Sequence, residues 1–288
     1  MKSELADKDM TASLSREAQA LLDQRAKALG EKTRPVTKRR SGSGSRLSFA
    51  QEAIWLSTEL DKSTSVFNRS LVIRLTGHLD CEVLKQTLRE IARRHEILRS
   101  RVAMIEGEPT FEVLPETTVD VLTVDVSTAL RPAINEEIRK PFDLYAGPFI
   151  RAVNFAEDEL THTICITTHH IASDGWSDGV FFRELNSIYS AFIGGISPSL
   201  TGLPNQYSEF AEWQRERTSG PEIERNVEYW TNRMAGAPLR QNIPADRPRP
   251  RMPEMAAGEV RRRIPTAIAH SLEALARSEG ATAAITML

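Results

Sequence analysis

The segment from Thr163 to Gly175 constrains the fold most. An alternating run, Thr163-Ile164-Cys165-Ile166-Thr167-Thr168, leads into His169-His170, then Ile171-Ala172-Ser173-Asp174-Gly175 and an apolar-periodic stretch. The run reads as a strand ending in two imidazoles, and the acid-glycine pair reads as a turn before a helix. Consecutive side chains on a strand point to opposite faces, so one imidazole faces the body of the fold and the other faces a cavity or solvent. They cannot act as one bidentate unit. A two-histidine, one-carboxylate metal site needs three side chains converging on one point, which adjacent strand histidines do not offer. A Ser-His-Asp arrangement could draw on Ser173 or Ser177, although neither stands in the G-x-S-x-G turn that exposes a nucleophile. The plainest alternative is a pair of hydrogen-bonded core histidines. The flank argues for chemistry in one of them: the Asp174-Gly175 turn carries a carboxylate that wants a cationic partner, and an imidazole neutral near pH 7 suits proton transfer.

Three other segments stand in order along the chain: Ser48-Phe49-Ala50-Gln51-Glu52-Ala53-Ile54-Trp55, Arg94-His95-Glu96-Ile97-Leu98-Arg99-Ser100, and Tyr207-Ser208-Glu209-Phe210-Ala211-Glu212-Trp213. With the H-H-x-x-x-D-G of His169–Gly175 they resemble four motifs of the condensation domains of nonribosomal peptide synthetases: S-x-A-Q-x-R-x-W, R-H-E-x-L-R-T, H-H-x-x-x-D-G and Y-x-D-F-A-x-W. Lesser similarities fall at Pro141–Leu144, Gly147-Pro148, Tyr229-Trp230 and Ala245–Pro250. The resemblance runs from about residue 46 to the end. Ala53 stands where the opening motif has arginine, and the motifs of the family's C-terminal half do not occur before Leu288.

The resemblance implies an α+β fold, a chloramphenicol-acetyltransferase-like two-layer sandwich, here the N-terminal lobe plus the start of the second lobe. Residues 46–236 would form that first lobe and 237–288 a connector and partial second lobe. It implies amide-bond formation, in which the amine of one carrier-bound aminoacyl group attacks the thioester of a carrier-bound acyl or peptidyl group. His170 is then the catalytic or positioning group and His169 an inward structural ring. Asp174 would form a salt bridge with Arg99 that pins the turn, and Gly175 would supply a conformation or close approach that a side chain forbids. Trp176 and Trp213 are expected as core anchors. No directly bound cofactor or metal is expected; the substrates would ride on the phosphopantetheine arms of upstream and downstream peptidyl carrier proteins. The other partners implied are the missing C-terminal lobe or further synthetase domains. The alternatives are a superfamily acyltransferase, an epimerisation domain, or a non-catalytic carrier-binding remnant. The heterocyclising subclass, with aspartate for both histidines, does not fit His169 and His170. An ending at Leu288, part-way through an apolar pattern, predicts that the chain alone does not catalyse condensation.

Composition bounds the rest. With 288 residues, 40% hydrophobic and 26% charged, the chain is an ordinary globular sequence. Cys81 and Cys165 read as reduced buried thiols, no apolar run reaches membrane-spanning length, and the charged N-terminus lacks a signal-peptide core, so a cytoplasmic location with no membrane partner is expected. The net charge of −2 conceals an asymmetry: residues 1–46 carry 11 Lys/Arg against 6 Asp/Glu. Their basic part interleaves with Ser41–Ser45, a linker composition without the aromatics of a nucleic-acid site. Residues 1–45 therefore read as an N-terminal helix, over 13–29, and a basic linker. Strands are expected at 70–76, 110–114, 119–124, 149–155, 162–168 and Gly258–Ile264. Helices are expected over 81–96, after the histidine turn as far as Gly194-Gly195, from Pro221 to Gly236, from Pro265 to Gly280, and again from Ala283.

Overall fold

The computed structural model describes residues 44–115, 119–126, 129–218, 220–238, 246–248 and 260–288. The helix expected over 13–29, most of the basic linker and most of the proline-rich connector lie outside them. Two compact units divide between Gly236 and Ala237.

The first unit is built on a four-stranded sheet ordered β2 (Asn68–Thr76), β7 (Thr161–His169), β6 (Ile150–Ala156), β5 (Val121–Asp125). β7 pairs antiparallel with both neighbours, from Asn68 opposite His169 to Thr76 opposite Thr161, while β5 runs parallel to β6. Period two explains why β7 is buried almost throughout. Ile164 and Ile166 pack on Leu84, Leu88 and Ile91 of helix α2 (Cys81–Arg94) and on Ile188 of helix α4 (Gly175–Ile193). Cys165 faces the other way, with Val153 and Phe155, onto Leu130, Ala133, Ile134 and Ile138 of helix α3 (Leu130–Arg139). Asp80 starts α2 by accepting the Val83 amide at 3.0 Å, and Gly194 and Gly195 close α4.

A second sheet, ordered β1 (Ser45–Arg46), β4 (Glu108–Val113), β3 (Ser100–Ile105), is antiparallel throughout. Its Val102 and Phe111 join Leu47, Leu144, Phe149 and Ile171 in a second core cluster that reaches the histidine turn. Around it lie helix α1 (Phe49–Leu60), a 3₁₀ turn (Glu96–Arg99) and helix α5 (Tyr207–Arg217). Helix α6 (Pro221–Met234) leaves Val227, Trp230 and Met234 exposed on its periodic face.

The second unit holds helices α7 (Thr266–Ser278) and α8 (Ala283–Met287), the latter capped by the Thr282 hydroxyl at 3.2 Å from the Ile285 amide. The strand expected over Gly258–Ile264 does not form where it is described. Val260 to Pro265 is irregular and Val260 is exposed, because alternation makes a strand only where a ladder partner exists. Sequence periodicity also passed over α3, whose Leu130, Ala133, Ile134 and Ile138 stand at helical spacing but whose first turn contains Pro132.

Candidate active site

The chain leaves β7 at His169, and Ala172 donates back to the His169 carbonyl at 2.9 Å, closing a tight turn. The two rings separate as strand geometry requires. His169 is 2% exposed and sits among Phe67, Phe142 and Phe149, with ring centroids 6.0, 5.7 and 6.4 Å away. Its Nδ1 accepts the Ile171 amide at 3.2 Å, so the neutral ring carries its hydrogen on Nε2. Burial, and after it the electrostatic influence of the neighbouring His170 and Arg151 side chains, push its pKa down to about 4.

His170 is exposed, and its amide is fixed to the Phe67 carbonyl at 2.7 Å. Its Nδ1 lies 2.8 Å from the carbonyl oxygen of Ser173. A carbonyl can only accept, so Nδ1 donates, and in the neutral ring the Nε2 lone pair is left free. That tautomer is the one a general base or an amine-orienting acceptor needs. Thr168 and Ser173 share a hydroxyl contact of 2.6 Å that holds the turn from below.

The expected Asp174–Arg99 salt bridge is absent. Asp174 is the N-cap of α4: its carboxylate accepts from the Ser177 amide at 2.9 Å and the Ser177 hydroxyl at 2.7 Å, in a capping box. Those two bonds hold its carboxyl below the usual carboxylate range, and Arg69 is the cation that contributes. Arg69 itself pairs with Asp178, one turn into α4, at 2.6 Å. Arg99 donates instead to the Leu114 carbonyl and lies 3.7 Å from Glu96, which ties the 3₁₀ turn to the end of β4. Gly175 also departs from expectation. It is the first helical residue, its φ lies outside the left-handed range, and an added Cβ would meet only the Arg69 guanidinium at 4.0 Å. Nothing at this position demands glycine. Trp176 is no core anchor either, being 86% exposed, whereas Trp213 is half-buried against Phe210 at 5.7 Å.

What fixes the turn comes from the other motifs. The Gln51 side chain is 3% exposed; its amide nitrogen donates to the Ile171 carbonyl at 3.0 Å and its oxygen accepts from the Ser48 amide at 3.0 Å. Ser48 Oγ caps α1 and reaches the Tyr207 hydroxyl at 3.2 Å. On the opposite side Glu184 of α4, 8% exposed, takes Arg94 on both oxygens at 3.2 and 3.3 Å and His95 Nε2 at 2.9 Å. Burial opposes the charge on Glu184, but the Arg94 and His95 hydrogen bonds win and hold its carboxyl below the usual range. Gln206 closes the circuit, donating to the Arg94 carbonyl at 2.9 Å and accepting the Glu96 amide at 3.1 Å. The Arg-His-Glu segment thus anchors the helix that follows the turn rather than the turn's aspartate. The signal that could have found Glu184 is its place four residues before Ile188 on the apolar stripe of α4. Among the described residues there is no cluster able to hold a metal ion and no helix long and apolar enough to cross a membrane.

The sheet with helices on both faces and a histidine turn tied to distant motifs define an α+β lobe that presents one exposed imidazole. Residues 44–288 match the condensation domain family, and the chain belongs to it. It is 35% identical over 250 residues to the chondramide synthase cmdD of Chondromyces crocatus, covering 84% of this chain and 6% of that protein. It is 33% identical over 244 residues to the phosphinothricin tripeptide synthetase PhsB of Streptomyces viridochromogenes, covering 82% of this chain and 20% of that one. The X-domain of teicoplanin biosynthesis, solved in complex with OxyB, superposes with a TM-score of 0.78 at 30% identity, over 87% of this chain and 56% of that one. The chain therefore spans a small part of these synthetases and just over half of the X-domain chain. Its mixed helices and sheets have the α+β, chloramphenicol-acetyltransferase-like fold of the family.

Proposed function

We propose that the chain contributes the histidine-bearing lobe of a domain that forms an amide between two carrier-bound groups in nonribosomal peptide synthesis. The observation that carries this is the orientation of His170: with Nδ1 committed to the Ser173 carbonyl, the neutral ring presents the Nε2 lone pair, exposed, at the end of the strand. The α-amine of the acceptor attacks the donor thioester carbonyl, the C–N bond forms, the C–S bond breaks and the pantetheine thiol leaves. His170 Nε2 accepts or holds the proton that the amine must lose. Thioesters are already activated, so positioning supplies most of the rate, up to several kcal/mol, and the proton acceptor about 10²–10⁴-fold. His169, Gln51 and Glu184 act through the fold and not on the substrate.

On this reading the partners are upstream and downstream peptidyl carrier proteins, whose phosphopantetheine arms bring the substrates, and a second lobe. No cofactor binds the chain directly, and the setting is cytoplasmic. The test supplies loaded donor and acceptor carriers with the family's second lobe as a separate chain and measures the intact mass of the carriers. Wild type is expected to transfer the acyl group and His170→Ala to lose at least a hundredfold of that rate. Equal transfer by both refutes the role of His170. A second reading, a non-catalytic docking lobe, is favoured by the likeness to the X-domain solved with OxyB. It predicts no transfer by either protein and tight capture of a partner enzyme by both.

A further inference from the structure

A pocket of about 240 Å³ lies within the first unit, behind the histidine turn, between the sheet and helices α2 and α4. Its walls are Leu71, Ile91, Ile166, Val180, Phe181 and Leu203, and Ala172, Ser173 and Trp176 of the turn and the first helical residues close one side. His170 does not line it. Most polar groups on the wall have partners: the Thr168 and Ser173 hydroxyls face each other at 2.6 Å, His95 Nε2 is held by Glu184, Ser177 by Asp174, Asp178 by Arg69, Gln206 by Arg94 and Glu96, and the Tyr207 hydroxyl by Ser48, while the exposed Asn205 also lines it. No lining residue carries a buried polar side-chain atom without a partner. A pocket walled mainly by apolar side chains offers water few hydrogen bonds and favours an apolar guest. An engineered apolar cavity of about 150 Å³ accepts benzene, so a larger ring or a branched chain fits here.

Two further observations place the guest. Ser173, on the pocket wall, is the residue whose carbonyl orients His170, so the pocket and the histidine share one turn. Trp176, 86% exposed, also borders the pocket, leaving a large aromatic surface in water that an arriving apolar group would cover. We propose that this pocket is a substrate side-chain site, taking the aromatic or branched aliphatic side chain, toluene- to indole-sized, of the acyl or aminoacyl group presented at His170. The identity of the guest as a substrate side chain rests on the function proposed above; the affinity of the pocket for an apolar ring does not.

The experiment uses 5-fluoroindole as the probe, titrated into the full chain and followed by fluorine NMR. Saturable binding is expected. Val180→Phe and Leu203→Phe, which fill the pocket from the helix and from the loop, are each expected to weaken it at least about tenfold, the low end of what one methylene of misfit costs in an apolar pocket. Circular dichroism checks the fold, and if Val180→Phe unfolds, the loop variant decides. Binding that is absent, or unchanged by a folded filling variant, overturns the proposal. A second arm supplies loaded carriers bearing phenylalanyl or glycyl groups, with the second lobe added. The filling variants are expected to shift preference from phenylalanyl toward glycyl substrates. Saturable, pocket-dependent binding of the free ring with no shift in substrate preference overturns the substrate assignment, while absence of turnover with every carrier overturns the function reading and leaves the titration to decide the pocket.

Discussion

Acidification will unfold this chain partly through His169. The ring is 2% exposed, its Nδ1 already accepts the Ile171 amide, and its pKa stands at about 4 against 6.5 for a free imidazole. In the unfolded chain the ring takes a proton as pH falls through about 6.5; in the folded protein it resists until about 4. The unfolded state therefore binds more protons across that window, and stability falls as pH falls. The shift of about 2.5 units, at about 1.4 kcal/mol per unit, is worth about 3 kcal/mol, fully present above pH 6.5 and lost by about pH 4. The perturbation is His169→Asn, whose side-chain oxygen can take the place of Nδ1 and does not titrate. It leaves a gap among the three phenylalanines and costs packing at every pH, so the readout is the slope and not the absolute stability. Urea denaturation from pH 7.5 to 4 is expected to show the wild type losing about 3 kcal/mol more than the variant. Parallel curves across that range would refute the argument that the ring is buried neutral.

Other outcomes follow from the bracing of the turn. Gln51→Leu leaves the Ile171 carbonyl without its donor and should cost about 1–3 kcal/mol in denaturant melts; an unchanged midpoint excludes the contact. Glu184→Ala strands Arg94, whose side chain is 11% exposed, and should cost about 3–5 kcal/mol, far more than removal of an exposed pair. Arg99→Ala and Asp174→Ala should be additive within about 0.5 kcal/mol in a double-mutant cycle, since the residues share no bond. Asp174→Ala alone should lose about 0.5–2 kcal/mol as a helix cap, and its rescue by Asn would mark it as a cap and not a charge. Gly175→Ala should move stability by no more than about 0.5 kcal/mol, checked by thermal melting.

The divergence of the two histidines was legible because the strand period alone decides it, and so was the helix after the turn, because the Asp174 cap and the apolar stripe bracket it. The tautomer of His170 was not, since it depends on where a turn aims the Ser173 carbonyl, and no periodicity encodes that direction. The assignment of Arg99 to Asp174 failed for a related reason. An aspartate ahead of a helix has a local partner in the amide and hydroxyl of Ser177, and a near contact in sequence outcompetes a charge arriving from another element. The opening motif was visible as residues but not as a function, because Gln51 and Ile171 are 120 positions apart. Trp176 shows the opposite limit: its hydrophobicity suggested the core, but the first turn of a capped helix faces outward.

The bracing has a consequence for synthesis of the chain. Arg46 meets Glu212 across 166 positions, Ser48 meets Tyr207 across 159, and Arg215 reaches both the Leu47 carbonyl and Glu52 from as far away. At roughly 5–20 residues per second, a nascent N-terminal segment waits about 8–30 s on the ribosome for these partners to emerge. During that interval the cap of helix α1 lacks its tyrosine, and the histidine turn, made some 120 positions after Gln51, appears before helix α5 has closed over the start of the lobe. The start of helix α1 is therefore among the last parts of the unit to be fixed, and a pause before Tyr207 would leave a histidine turn held by Gln51 on a helix whose own cap still lacks its tyrosine and arginine partners.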